Sequence, residues 1–299
     1  MPAAAQSIAK PRPALRADLA LAFNTLVWGS TFVLVKRALD DASALLYVAI
    51  RFSIASLAMA WIFRGKFSLR RRSAMGGILA GVCLFGGYTF QTVGLRYTSA
   101  SKAAFLTGLA VVMVPLLSSL VYRVYPHVSE VIGVAAATVG MGMLTLEGNI
   151  GSLAHGDLLE ILCALSFAFH IVVLGHYARM EPFEPLAVWQ VGTTAVLGLG
   201  SFWWMEKPYF HPSPFLWFAL LISSLLATAL AFSVQAWAQQ VTTPTRTALI
   251  YSLEPVVAWI FSFSLMGERL TARAMWGGGL ILFGILIAEL KPIGAKRHP

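Results

Sequence analysis

The sequence has few charged residues, and this scarcity indicates the class of protein. Asp, Glu, Lys and Arg make up 12% of the 299 residues, whereas 58% are hydrophobic. Soluble domains carry about twice that share of charge. A water-soluble domain of this composition would have too little polar surface to stay dispersed, and the mean hydropathy of +0.74 agrees. We therefore predict an all-α integral membrane protein.

Cysteine is also scarce, and the groupings of residues that enzymes use are missing. Cys83 and Cys163 both lie within apolar segments, where a thiol acts as a small hydrophobic group. The sequence has no metal-ligand spacing of His, Cys and carboxylates, no nucleophile-elbow motif and no phosphate-binding loop. We predict no enzymatic activity, no metal site and no cofactor.

The net charge of +9 does not indicate nucleic-acid binding. Most basic residues stand in short segments beside the apolar runs, and no extramembrane domain remains that could bind nucleic acid. Basic segments before the first run and after the second are typical of cytoplasmic loops. We therefore predict a multi-pass protein of the cell inner (plasma) membrane, with both termini in the cytoplasm.

Apolar segments of about 20 residues, the length that crosses a bilayer, recur along the chain. The first is too long for the hydrophobic part of a signal peptide and has no clear cleavage site, so we interpret it as a membrane span. The sequence predicts ten transmembrane helices, with approximate limits 17–38, 43–64, 73–96, 101–124, 127–147, 155–178, 183–205, 213–239, 244–266 and 271–290.

The two halves of the chain share a pattern of polar and glycine residues at an offset of 144. The corresponding pairs include Gln91 and Gln235, Thr98 and Thr242, Gly133 and Gly277, and Gly140 and Gly284. We predict a tail at 1–16, a first five-helix repeat at 17–147, a linker at 148–154, a second five-helix repeat at 155–290 and a tail at 291–299. Because each repeat has an odd number of spans, the second is inverted relative to the first. Inverted repeats are typical of secondary transporters, whose substrate site lies between the halves.

Polar and aromatic residues recur on single faces of several predicted helices, where a lipid-facing surface would be aliphatic. We predict that these residues surround a central cavity for a small molecule. The predicted cavity residues are Asn24, Trp28, Thr31, Phe85, Tyr88, Gln91, Thr92, Phe169, His170, Gln235, Tyr251 and Glu254. Each has a structural alternative. The threonines can bond their own backbone or a neighbouring helix, Trp28 and Tyr88 can pack against a neighbour, a neutral His170 can bond a neighbouring hydroxyl, and Glu254 can be protonated or capped by backbone. For Arg51, extension towards the membrane surface or contact with backbone carbonyls at a helix end is favoured over substrate contact.

Two prolines stand inside predicted helices. Pro115 is in the fourth and Pro255 in the ninth, directly after Glu254. Proline cannot donate a helix hydrogen bond, so both helices should bend there. An ionised Glu254 would be costly in hydrocarbon and should face a protein-lined interior. We predict that the two prolines are kinks that gate the cavity.

Short motifs in both halves resemble a known family. They are Trp28-Gly29-Ser30 with Phe32, Arg51-Phe52, Leu253-Glu254-Pro255, and Gly267-Glu268-Arg269-Leu270. These motifs resemble the EamA-type repeats of the drug/metabolite transporter superfamily, over essentially the whole chain, although Val124 stands where the second repeat has Glu268. The resemblance implies a ten-helix carrier with helices one to four and six to nine around its cavity. Among such carriers the chain is most similar to the YddG-type bacterial exporters of aromatic and other amino acids.

The resulting hypothesis is an exporter of amino acids, aromatic and other neutral ones, or of related small metabolites, that works by alternating access. Its partners would be the small-molecule substrate and the lipid bilayer, and the sequence is compatible with a monomer. An efflux carrier for lipophilic cationic drugs is the first alternative and requires an ionised acid in the cavity. A membrane receptor or scaffold is an alternative from a different class.

The predicted inversion can be tested by labelling single cysteines at positions 150 and 299. In a background with Cys83 and Cys163 replaced by Ala, a membrane-impermeant maleimide should label position 150 in intact cells. Position 299 should react only after the cells are permeabilised, because an odd number of spans separates the two positions. Equal labelling of both positions in intact cells would contradict the two-repeat topology.

Overall fold

The computed structural model describes residues 13–98, 100–123, 126–145, 155–257, 260 and 272–289. In this part of the chain there is no β-strand beyond a single bridge between Ala42 and Phe210. The helices are α1 (Pro13–Ala38), α2 (Ala44–Ile62), α3 (Arg71–Gly94), α4 (Ala100–Gly108), α5 (Ala110–Tyr122), α6 (Val128–Thr145), α7 (His155–Ala178), α8 (Phe183–Met205), α9 (Pro214–Ser224), α10 (Ala231–Ala238), α11 (Pro244–Tyr251) and α12 (Ala272–Glu289). A π-helical segment, Leu225–Leu230, joins α9 to α10. The predicted linker, most of the predicted tails and most of predicted helix nine beyond residue 257 lie outside the described residues.

Seven helical segments within the described residues are long and apolar enough to cross a membrane. They are Ala14–Ala38, Ala44–Ile62, Arg71–Gly94, Ala103–Tyr122, His155–Ala178, Phe183–Met205 and Pro214–Ala238. Two shorter apolar helices cover Val128–Met143 and Met275–Ile287. The chain is therefore an all-helical, multi-pass membrane protein. All nine segments fall within helices predicted from hydropathy alone, apart from differences of a few residues at their ends.

Helix boundaries recur at the same offset of 144 residues that relates the sequence motifs. The matching boundaries are the starts Ala100 and Pro244, the starts Val128 and Ala272, the ends Gly94 and Ala238, and the ends Thr145 and Glu289. The packing is reciprocal as well. Helix α3 packs on α7, while α10, which occupies the place of α3 in the second half, packs on α1.

Glycines bring α6 and α12 into direct backbone contact. A Cβ atom added to Gly140 would lie 2.5 Å from the carbonyl oxygen of Gly277, and one added to Gly284 would lie 2.5 Å from that of Gly133. The two contacts are each other's counterparts at the offset of 144. Small residues at such positions allow membrane helices to approach closely. This pair of helices therefore requires glycine at matching positions in both halves.

The fourth and ninth predicted helices are interrupted at matching positions, but not both at their prolines. In the first half the break falls at Leu109, between α4 and α5, and Pro115 lies within the continuous helix α5. The kink predicted at Pro115 is therefore found six residues earlier. In the second half α11 ends at Tyr251, and a helical turn resumes at Glu254. Pro255 removes the donor that would bond the carbonyl of Tyr251, so this break falls where the proline predicts it.

The α6–α12 contact can be tested with a matched pair of alanine substitutions. Gly140→Ala should destabilise the protein by about 1–3 kcal/mol, because the new methyl group meets backbone that cannot move away easily. Gly279→Ala on α12 is the control, since nothing lies within 4 Å of its added Cβ. Thermal unfolding of the purified protein in detergent should show a lower midpoint for Gly140→Ala only. Equal midpoints for the two variants would contradict the close approach of the helices.

Candidate functional site

A cavity lies among the helices of both halves. Its empty volume is about 860 Å³, including open solvent at its mouth. Side chains from α1, α2, α3, α4, α5, α7, α10 and α11, and from the break after α11, line it. The lining residues are Trp28, Thr31, Phe32, Val35, Arg51, Tyr88, Gln91, Thr92, Leu95, Thr107, Gly108, Ala110, Val111, Phe167, His170, Ile171, Phe232, Gln235, Ala248, Tyr251, Ser252 and Glu254.

Aromatic rings form a continuous wall of the cavity. The ring of Trp28 lies 4.9 Å from that of Tyr251 and 5.5 Å from that of Phe232, measured between centroids. Tyr88 contacts Phe167 edge to face at 5.4 Å and Phe232 at 6.1 Å. Such tilted and edge-to-face contacts are the favoured arrangements of aromatic pairs. They hold the wall together and leave apolar ring surface towards the cavity.

The π-helical segment supplies hydrogen-bond acceptors at this wall. The indole Nε1 of Trp28 donates to the carbonyl oxygen of Ala227 at 2.8 Å, and Nη2 of Arg51 donates to the same oxygen at 3.2 Å. Nε of Arg51 donates to the hydroxyl of Thr228 at 2.7 Å. π-helical turns inside helices often occur at functional sites. Here the irregular turn ties α1 and α2 to the eighth predicted helix.

Two polar side chains in the cavity wall, His170 and Gln235, differ in how fully their hydrogen bonds are satisfied. His170 is buried on α7, and its Nε2 lies 2.8 Å from Oε1 of Gln190. Nε2 of Gln235 donates to Oε1 of Gln239 at 3.3 Å. The other amide atom of Gln235, Oε1, is buried without a partner among the described residues. Gln235 therefore offers a free acceptor beside the cavity.

Gly29 allows α1 to approach the turn that carries Glu254. A Cβ atom at Gly29 would lie 2.9 Å from Cβ of Val257 and 3.0 Å from the carbonyl oxygen of Glu254. Any larger side chain would push α1 away from this turn. The glycine of the Trp28-Gly29-Ser30 motif thus helps to set the position of Glu254 at the cavity.

A second buried acid, Glu160, lies behind the cavity wall. It is fully buried on α7, and its Oε2 accepts a hydrogen bond at 2.9 Å from the hydroxyl of Thr107, a lining residue. Oε1 of Glu160 has no partner among the described residues and lies against Gly94, where an added Cβ would be 2.7 Å away. Glu160 is not among the residues predicted from the sequence, although an acid within the apolar run of α7 is itself a signal.

Nine of the predicted cavity residues line the cavity, and three do not. The nine are Trp28, Thr31, Tyr88, Gln91, Thr92, His170, Gln235, Tyr251 and Glu254. Asn24 lies next to the wall instead, where its Nδ2 donates to the carbonyl oxygen of Ala231 at 2.8 Å. Phe85 lies about one turn before Tyr88, outside the lining. Phe169 is 42% exposed, because it points away from the helix face that carries His170.

Two aromatic residues of the lining that were not predicted, Phe167 and Phe232, each share a helix face with a predicted residue. Phe167 lies three residues before His170, and Phe232 lies three residues before Gln235. Residues three apart share a helix face, whereas neighbours in sequence do not. Phe169, directly beside His170, therefore lies on another face of α7 and outside the lining. Arg51 makes the predicted carbonyl contact, and it also lines the cavity.

An all-helical membrane protein with a polar and aromatic cavity in its interior has the form of a small-molecule carrier. The model of the EamA-like transporter family matches this chain twice, at residues 15–146 and 154–290. An uncharacterized transporter of Archaeoglobus fulgidus is 36% identical over 282 residues, which are 93% of this chain and 87% of that protein. The chain belongs to the EamA-like transporter family and is a membrane transporter.

More distant relatives agree with this assignment. The uncharacterized inner membrane transporter YedA of Escherichia coli K12 is 22% identical over 89% of this chain and 88% of its own length. The uncharacterized transporter YoaV of Bacillus subtilis is 24% identical over 88% and 93%. A solved crystal structure superposes with a TM-score of 0.75 at 19% identity, covering 92% of this chain and 96% of the other. At this identity the similarity shows that the two proteins share a fold.

The contact between Trp28 and the π-helical segment can be tested by substitution. Trp28→Phe keeps an aromatic ring but removes the Nε1–H that bonds Ala227, and should destabilise the protein by about 1 kcal/mol. Trp204→Phe is the control, since Trp204 is 66% exposed and its Nε1 bonds a carbonyl of its own helix. The measurement is the thermal unfolding midpoint in detergent. If both variants lower the unfolding midpoint equally, the hydrogen bond from Trp28 to Ala227 stabilises the protein no more than the exposed bond of Trp204.

Proposed function

We propose that this transporter exports amino acids, aromatic and other neutral ones, or closely related small metabolites, by alternating access. The observation that carries the proposal is the composition of the cavity wall. Six aromatic rings provide apolar surface, and these are Trp28, Phe32, Tyr88, Phe167, Phe232 and Tyr251. Polar groups stand among them, including an acid and an arginine. A molecule with a planar side chain and a polar end would find partners for both of its parts there.

The polar end would be oriented by groups that have no other partner or that face the cavity. Oε1 of Gln235 is a buried acceptor without a partner among the described residues. Glu254 lines the same cavity and is a second acceptor for an ammonium group. Gln91 lines it from α3 and can donate or accept. These groups support an amino acid more than an apolar metabolite.

We further propose that the two halves are inverted five-helix repeats, ten spans in all, with both termini in the cytoplasm. Support comes from the repeated helix boundaries, from the reciprocal α6–α12 contacts and from the two matches to one family model. Inverted repeats allow one half to rock against the other around a fixed central site. Such rocking is the simplest route to alternating access between two repeats.

The interruptions at Leu109 and at Ser252–Leu253 would act as hinges in this motion. Hinges are a few residues at the ends of elements that absorb a large change in backbone angles. Gly108, directly before the first break, and Ser252, within the second, both line the cavity. Bending at one break would close the cavity from one side, and bending at the other would close it from the opposite side. In this proposal Pro255 helps to form the second hinge, whereas Pro115 lies within α5, six residues beyond the first hinge.

Export of lipophilic cations is the second candidate, because Glu254 places a carboxyl group in the cavity. The guanidinium of Arg51 in the same cavity opposes it, since a cation would meet a like charge there. A liposome assay decides between the two. The purified carrier should exchange labelled L-phenylalanine but not labelled tetraphenylphosphonium. Transport of the cation alone, lost in Glu254→Gln, would establish the second candidate.

The aromatic wall can be tested with two phenylalanines on one helix. Phe167→Ala should lower L-phenylalanine exchange in liposomes about tenfold, because it removes one ring of the wall, worth about 1.4 kcal/mol. Phe169→Ala, two residues further along α7, is the matched control, since Phe169 is exposed on the other face. It should exchange the substrate at the wild-type rate. An equal loss in both variants would contradict this role of the cavity.

A further inference from the structure

Arg51 is a buried cation in the cavity wall that forms no ion pair within the described part of the chain. Its side chain extends from α2, and the residue is 4% exposed. Among the described residues the ion pairs join Lys66 to Glu184 and Arg246 to Asp18, and Arg51 takes part in neither. A charge inside a membrane protein is costly unless it is compensated, and such residues commonly mark the path of a substrate. We therefore expect an anion to compensate the charge of Arg51.

The hydrogen bonds of the guanidinium group leave one of its ends unused. Nε donates to the hydroxyl of Thr228, and Nη2 donates to the hydroxyl of Tyr88 and to the carbonyl oxygen of Ala227. No hydrogen bond from Nη1 to a described residue is present. An arginine side chain has five N–H donors in a fixed plane, so two remain on Nη1. These two free donors are on Arg51, and Arg51 lines the cavity.

The same contacts hold the guanidinium group in one orientation. It lies over the ring of Tyr88, with 4.5 Å from Cζ to the ring centroid, and 5.7 Å from that of Phe52. The π-helical segment fixes the opposite edge through Ala227 and Thr228. A charged donor that is already held in place loses little conformational freedom when a ligand binds. These are features of a prepared binding site.

We propose that Arg51 is an anion subsite of the cavity and binds the carboxylate group of the transported molecule through Nη1. Arginine suits carboxylates because a hydrogen bond between two ionised groups is shorter and stronger than one between neutral groups. With Nε and Nη2 already engaged, the contact would run through the single nitrogen Nη1. The aromatic wall next to Arg51 would hold the apolar part of the same molecule. The inference rests on the proposed function in taking this cavity as the substrate site. It does not require an amino acid, since any apolar carboxylate would satisfy it.

The subsite can be tested by calorimetric binding of three matched ligands to the purified protein in detergent. Phenylpropionate carries the carboxylate, phenylpropanol replaces it with a neutral hydroxyl group, and phenylethylamine carries a cation. Phenylpropionate should bind at least about tenfold more tightly than either of the others, as expected for hydrogen bonds to a charged group. Sodium chloride, compared with sodium gluconate, tests whether a free inorganic anion occupies the site instead.

Variants of Arg51 then assign the preference to this residue. In Arg51→Gln the affinity ratio of phenylpropionate to phenylpropanol should fall to about one. Arg37→Gln is the control and should keep the wild-type ratio, because that arginine also lies over a ring, Phe215, but at the exposed end of α1. A ratio measured on one variant does not depend on the amount of folded protein. If Arg51→Gln does not fold, Thr228→Val removes the acceptor for Nε and should lower the same ratio.

Three results would overturn the subsite. They are equal affinities for phenylpropionate and phenylpropanol in the wild type, an unchanged ratio in Arg51→Gln, and chloride binding without any preference for the carboxylate ligand. Other results would reject amino acid export and leave the subsite in place, or the reverse. An Arg51-dependent preference for phenylpropionate without any amino acid transport would retain the subsite and reject amino acid export. Amino acid transport at the wild-type rate by Arg51→Gln would retain export and reject the subsite.

Discussion

The structure depends on how this protein satisfies polar backbone groups that the bilayer cannot hydrate. Irregular backbone at membrane depth is tolerated only where it is buried in protein or lines a cavity. The π-helical segment meets this condition, because the carbonyl oxygen of Ala227 accepts hydrogen bonds from both Trp28 and Arg51. One backbone group thus joins three helices. The same bonds orient the Trp28 ring and the Arg51 guanidinium in the cavity wall. One turn of helix therefore both satisfies its own backbone and positions two side chains of the candidate site.

The two helix interruptions obey the same rule. Leu109 and Leu253 occupy equivalent positions in the two halves, and the residues just before them, Gly108 and Ser252, both line the cavity. An unbroken helix would carry no free backbone groups to this depth. The two breaks are therefore a matching pair of irregularities, whereas the π-helical segment has no counterpart in the continuous helix α3.

Hydropathy and spacing predicted most of the architecture, since the apolar segments and the offset of 144 can be read directly from the sequence. In α7, neither hydropathy nor spacing identified which face of the helix lines the cavity. Phe169 stands beside His170 in sequence but points away, whereas Phe167 shares the face of His170. They failed again at Leu109, because no proline marks that break. The shared acceptor at Ala227 could not be predicted, since no side chain signals a π-helical turn.

The glycine contacts between α6 and α12 have a consequence for the origin of the chain. Gly140 meets the backbone at Gly277, and Gly284 meets the backbone at Gly133, so each half presents the same surface to the other. Under the proposed duplication, two separate copies of one half would make this same contact with each other. In a single chain the two halves need not be identical, so one half can carry the cation Arg51 and the other the acid Glu254.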